Sequence, residues 1–271
     1  MSEARVQVEI DSAGIADVRL TRADKLNAVD DAMFQQVASA GRELAKDRSL
    51  RAVVLSGEGR GFCAGIDTST FAAAAGGDGE PSAFNPFARE PDEAANHVQQ
   101  FAWVWRELPV PVIAAVHGVC FGAGIQLALA ADIRFVAPDA KLSIMEMRWG
   151  LIPDVTGTQT LRHLLPLDVL KELTFTARTV SGDEAKELGL ATHVSEDPRD
   201  AAYGLAREIA GRSPDAVRAA KQLLNATSTS SPADGLALEA TLQRQLIGSP
   251  NQLESVMSNL QRRDPDYQDP K

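Results

Sequence analysis

The chain opens with two short segments in which apolar and polar residues alternate. Residues 5–10 (RVQVEI) and 15–20 (IADVRL) repeat every second position, the period of a half-buried strand, and DSAG between them is a turn signal. Together they predict an opening hairpin. The period then becomes helical: Met33, Phe34, Val37 and Leu44 share one face behind Asp30 or Asp31 as N-cap. Residues 52–56 (AVVLS) are a β-branched run that predicts a buried strand, and GEGRGFCAG follows as a glycine-rich loop.

Residues 72–91 show no period and are dominated by small residues, Gly and Pro. They read either as a lid over a site or as a plain surface insertion. A helix is predicted over 91–107, with Val98, Phe101, Ala102 and Trp105 at helical spacing and Pro109 and Pro111 ending it. PVIAAV (111–116) is a strand, HGVCFGAG a turn, IQLALAAD a buried helix and IRFVA (133–137) a further strand. After about residue 158 the pattern is helical throughout. Ser181 with Glu184 has the spacing of a capping box, and Ser213-Pro214 and Ser231-Pro232 place proline at the first helical position. Leu236, Leu238, Leu242 and Leu246 keep the late helices apolar, able to cover the core or a neighbouring subunit. The expectation is an α/β core over 1–195 with a helical C-terminal part over 196–271.

Composition narrows this little. With 271 residues, 44% apolar and 24% charged, the chain is an ordinary globular one; collagen, a disordered tail and a disulfide scaffold are excluded. The net charge of −10 argues against nucleic acid as a general partner. Between Glu107 and Asp132 no formal charge occurs, a span long enough to cross a bilayer. Its prolines, glycines, His117 and Gln126 favour a buried strand followed by a buried helix, so no membrane association is expected. Two cysteines, Cys63 and Cys120, and an opening MSEARVQVEI without a basic-then-apolar pattern suit a cytoplasmic location.

The standard catalytic templates are missing. There is no G-x-S-x-G elbow and no P-loop, and Phe62 spoils a G-x-G-x-x-G reading of Gly57, Gly59 and Gly61. The four histidines (97, 117, 163, 193) lack metal-ligand spacing, so no metal is expected. His117 reads as a satisfied core histidine and Cys63 as small buried filler. Two features remain: the glycine turns FCAGID (62–67) and FGAGIQ (121–126), and the acids Glu146 and Asp154 within the apolar run SIMEMRWGLIPDVTG. Carboxyls in apolar surroundings titrate high, which suits acid–base work near neutral pH. An ion pair, for instance Glu146 with Arg148, is the structural alternative.

GRGFCAGID, AAVHGVCFGAGIQLALAADIRF and the Glu146–Asp154 segment with GTQTLRHLLP resemble, in that order, the crotonase family of enoyl-CoA hydratases and isomerases. LTRADKLNAV (20–29) and ELTFTARTVSGDEAKELGLATHV (172–194) extend the resemblance to nearly the whole chain. It implies a spiral of repeated ββα units with C-terminal helices at a trimer interface, as a homotrimer or a dimer of trimers. It also implies an acyl-CoA substrate whose thioester enolate is held by the backbone N–H groups of Ile66 and Ala123, flanked by Gly65 and Gly122. Ala123 stands where the family commonly has glycine. CoA recognition is expected mainly from main chain, at Lys25, Leu26, Ala28, Ala64, Gly65 and Asp67, with Lys25 and Arg262 toward its phosphates. The family's lysine after the first turn is missing from IDTST. No cofactor is implied beyond the CoA of the substrate.

The acids separate the family's reactions. Its hydratases use two glutamates, at the positions of Gln126 and Glu146, and an amide at 126 cannot act as a carboxylate base, although Gln126 is expected to bind substrate by orienting a water or a substrate group. Dienoyl-CoA isomerases use a glutamate and an aspartate at the spacing of Glu146 and Asp154, and DVTGT (154–158) and ELTFTAR (172–178) are reminiscent of them; those enzymes have an additional aspartate at position 126, here again replaced by Gln126. Δ3,Δ2-enoyl-CoA isomerases need only one carboxylate, which Glu146 can supply. Isomerisation is therefore the expected chemistry, with hydration as the alternative. A non-catalytic acyl-CoA binder is the rival class, against which both acids argue. An RNA-binding relative is opposed by the −10 charge and the lack of a Lys-rich helix.

Overall fold

The computed structural model describes residues 3–69 and 84–270. The predicted hairpin is present: β1 (Val6–Ile10) pairs antiparallel with β2 (Ile15–Leu20), Val6 opposite Leu20. Of the two candidate caps, Asp30 is the one used. Its carboxylate accepts the Met33 N–H and starts α1 (Asp31–Leu44). Strands β3 (Ala52–Gly57), β4 (Val112–Val116), β6 (Ile133–Val136) and β9 (His193–Val194) continue the sheet in parallel, in the order β1-β2-β3-β4-β6-β9.

β3 and β4 are buried on both faces, which is why they read as apolar runs. Val53, Leu55, Val112, Ala114 and Val116 face a core shared with α1, with α2 (His97–Glu107) and with α3 (Ala123–Ala130). The alternate residues Ala52, Val54, Ile113 and Ala115 face a second core closed by Ala202 and Ala206 of α7 (Pro198–Ala210). The first helix of the C-terminal region thus packs back onto the sheet.

The remaining elements are helical or short. α4 (Gly157–Leu161), α5 (Leu167–Thr176) and α6 (Gly182–Leu188) precede the tail. α8 (Pro214–Thr227), α9 (Pro232–Leu246) and α10 (Pro250–Gln261) each start at a serine cap followed by proline. Lys221 of α8 is buried and fastens the tail to the core. Its Nζ reaches Asp132 Oδ2 at 2.7 Å and the carbonyls of Val110 and Trp105 at 2.9 and 3.1 Å.

Several expectations need correction. The segment HGVCFGAG is not only a turn, because Val119–Phe121 forms β5 of a second sheet with β7 (Lys141–Ser143) and β8 (Val180–Ser181). Three-residue strands carry too little alternation to be read from sequence. Helix α2 begins at His97 rather than 91, where Asn96 and Gln99 cap each other reciprocally. Ser181 accepts the Glu184 N–H, but the Glu184 carboxylate pairs with Arg178, so the cap works in one direction. Of the segment 72–91, residues 72–83 lie outside the described residues. Residues 84–91 are irregular, with Phe84 stacked on Phe34 and His97. No described helix is long and apolar enough to cross a membrane.

Candidate active site

The two glycine turns lie side by side. Cys63 and Cys120 form an isolated parallel bridge, in which Cys63 N donates to Val119 O and Phe121 N to Cys63 O, each at 3.0 Å. Both thiols are buried, and burial pushes Cys63 up to about 12, as expected of filler rather than a nucleophile. Gly65 has φ +86°, and a Cβ there would meet Phe121 O at 2.7 Å. Beyond the bridge, the Ile66 and Ala123 amides donate to no carbonyl or side chain among the described residues. Ala123 is the first residue of α3, whose leading N–H groups have no intrahelical partner.

The first turn is braced by residues that the sequence did not single out. Asn27 is fully buried in the left-handed region at φ 56°. Its Nδ2 donates to the carbonyls of Glu58, Gly61 and Phe62, and its Oδ1 accepts from Arg22 N. An asparagine inside LNAV is the one sequence signal for it, since Asn tolerates that backbone. Leu26 O accepts from Ala64 N, and Val29 N donates to Gly65 O, so the 25–29 segment runs beside the turn, with Ala28 buried and Lys25 exposed. Asp67 accepts from the Ser69 N–H and pairs with Arg22 at 2.7 Å, and the Ser69 bond foremost, then Arg22, holds its carboxyl below the ordinary value.

The acids meet the turns in one cavity of about 80 Å³, walled by Ala64, Gly65, Ile66, Gly122, Ala123 and both Glu146 and Asp154. Met145, Trp149, Leu151 and Val155 make its apolar side. Glu146 is only 8% exposed. Instead of an ion pair with Arg148, its Oε1 accepts the Gln126 Nε2–H, while Oε2 is buried without a hydrogen-bond partner. Burial raises its titration, with the Asp154 charge adding and the Gln126 bond opposing. Asp154 stands at the exposed rim, yet partial desolvation raises it too.

Gln126, on α3, does not face open space. It is fully buried, and its Oε1 accepts from Val155 N at 2.9 Å and Gly157 N at 2.8 Å. Between those donors Thr156 is buried at φ 66° with an unpartnered hydroxyl. Arg262 is not brought to this cavity: it caps the C-terminus of α10, which packs on α8. His117 is only half-buried and meets Gly59 O at 3.0 Å.

A larger cavity of about 920 Å³ lies among α2, α8, α9 and α10. Its buried cation, Lys221, is already held by Asp132 and two carbonyls, and Glu107 on its wall accepts the Trp103 Nε1–H. Among the described residues no cluster of His, Cys, Asp or Glu could hold a metal ion.

A family model described as enoyl-CoA hydratase/isomerase matches residues 11–270. The chain is 34% identical over 273 residues to the mitochondrial methylglutaconyl-CoA hydratase of Mus musculus, covering 98% of this chain and 83% of that protein. It is 33% identical over 277 residues to the mitochondrial Delta(3,5)-Delta(2,4)-dienoyl-CoA isomerase of Mus musculus, covering 96% and 80%. The crystal structure of enoyl-CoA hydratase from Mycobacterium tuberculosis H37Rv matches with a TM-score of 0.85 at 29% identity, over 98% of this chain and 99% of that one.

Proposed function

The chain belongs to the enoyl-CoA hydratase/isomerase, or crotonase, family and has its fold, and from that premise we propose that it moves a double bond along an unsaturated acyl-CoA, taking Δ3,5-dienoyl-CoA to Δ2,4-dienoyl-CoA. The observation that carries this reading is the make-up of the small cavity. Two carboxyls with raised titration, Glu146 and Asp154, share it with two unpartnered amides, and a neutral amide occupies position 126.

The thioester oxygen accepts from the Ile66 and Ala123 N–H groups. The dipole of α3 adds to the field on the developing negative charge. One carboxylate removes a proton from C2, the charge spreads over the conjugated tail, and the other carboxyl returns a proton at C6. No atom is gained or lost. Burial raises the titration of both carboxyls, the direction that acid–base work nearer neutral pH requires. Hydration between two glutamates fits less well. Gln126 spends its oxygen on two backbone donors and its nitrogen on Glu146, so it can take no proton from water.

The 25–28 and 64–67 segments are the proposed main-chain site for CoA, with Lys25 toward its phosphates. A trimer is the proposed assembly, supported by Leu224, Leu236, Leu253 and Leu260 standing exposed on the C-terminal helices; light scattering tests it.

Absorbance assays with crotonyl-CoA, a Δ3-enoyl-CoA and a Δ3,5-dienoyl-CoA test the reaction. Dienoyl turnover well above hydration is expected. Efficient hydration of crotonyl-CoA without dienoyl turnover would overturn the reading, and turnover of the Δ3 substrate alone would reduce it to single-base isomerisation by Glu146.

A further inference from the structure

We infer that Gln126 is a positioning residue that ties up one oxygen of Glu146 and leaves the other, Oε2, to carry the transferred proton. The inference rests on the reading of Glu146 as an acid–base group.

The orientation of the amide is dictated by its surroundings. The Val155 and Gly157 N–H groups converge on one atom of Gln126, at 2.9 and 2.8 Å, and only an oxygen can accept both. The amide nitrogen must then point the other way, where it meets Glu146 Oε1. Flipping the amide would set donors against donors in a fully buried place. Thr156, left-handed between the two donors, keeps them pointing inward.

A free carboxylate has two equivalent oxygens, and this bond makes them different. Oε1 is occupied, whereas Oε2 is buried and has no partner among the described residues, on a side chain that lines the cavity. Because an amide has no charge to gain or lose, it leaves Glu146 to titrate against one facing charge, Asp154. A carboxylate in its place would be forced to share a proton with Glu146.

The test uses the full chain with ¹³C-carboxyl-labelled glutamate, the Glu146 signal being assigned with Glu146→Gln. In Gln126→Met the donor is lost, so the Glu146 midpoint should move up by about one pH unit. The pH limb of dienoyl-CoA kcat should move with it, and kcat should fall about ten- to a hundredfold with KM within about threefold. An unchanged midpoint would overturn the inference, since a merely structural glutamine would lower stability without moving it. If Gln126→Met does not fold, Gln126→Glu retains the acceptor for both backbone donors. There, two coupled titration steps are expected, and two independent carboxyls at ordinary values would overturn the inference. No dienoyl turnover by the unmodified chain would instead count against the reaction proposed above, and the midpoint would still decide the role of Gln126.

Discussion

Cys63 and Cys120 face one another across a single parallel bridge, and each stands three residues before an unpartnered amide, Ile66 and Ala123 respectively. One pair of backbone hydrogen bonds therefore sets the spacing of both glycine turns. The sulfurs fill space beneath them, and the Cys63 thiol reaches Asn27 O at 3.1 Å, tying the bridge to the 25–29 segment.

That spacing makes Gly124 a sensitive position. A Cβ there would lie 2.5 Å from the Cys63 carbonyl oxygen, which is backbone and cannot swing away. Gly124→Ala should push the turns apart, costing about 1–3 kcal/mol of stability. It should cost more in catalysis, because displacing an oxyanion donor is worth about 3–4 kcal/mol of transition-state stabilisation. Urea unfolding beside steady-state kinetics checks both. Wild-type kcat in the variant would mean the turns tolerate the extra volume.

Asp154 lies on the cavity rim, so its replacement should affect chemistry rather than folding. Asp154→Asn is expected to lower dienoyl-CoA kcat by about 10²–10⁴-fold while acyl-CoA binding and the melting temperature stay close to wild type. Calorimetric titration with a saturated acyl-CoA measures the binding. Full turnover by the variant would make Asp154 a bystander.

Stability should carry a signature of Glu146. Its carboxyl titrates higher folded than unfolded, chiefly through burial. Between those two values the folded chain holds more protons than the unfolded one, so stability falls as pH rises through that window. Above the folded value the penalty is complete. Glu146→Gln removes it, retains an oxygen for Gln126, and should be the more stable protein at neutral pH and the less active one. Denaturation midpoints between pH 4 and 8 for the two proteins check the sign.

Lys221 is the tie between the tail and the core. Removing it leaves Asp132 without its cation and two buried carbonyls without a donor. Lys221→Met should cost about 3–5 kcal/mol, the scale of breaking a buried pair from one side. Chemical unfolding reads this directly. A loss below about 1 kcal/mol would mean the pair is solvated.

Much of the fold was legible because it is written in local patterns. The hairpin followed from period two, the α1 face from period 3.6, and two of the tail helices from serine–proline starts; the third such start, Ser249-Pro250, was passed over. The second sheet was not legible, since β5, β7 and β8 are two or three residues long and are held by partners about 20 to 40 residues away. The start of α2 depended on whether Asn96 and Gln99 closed a reciprocal cap, which composition does not reveal.

By itself the sequence determined the family, the two glycine turns and the presence of Glu146 and Asp154, because close backbone approach and acid–base chemistry each demand particular residue types at fixed spacing. Only the tertiary structure decided what those residues do to one another. Gln126 lies 20 positions from Glu146 and about 30 from the turn that grips it, and nothing in the chain order says which way its amide faces. Two backbone donors arriving from a distant loop settle that, since hydrogen bonding depends on direction in space and not on separation along the chain.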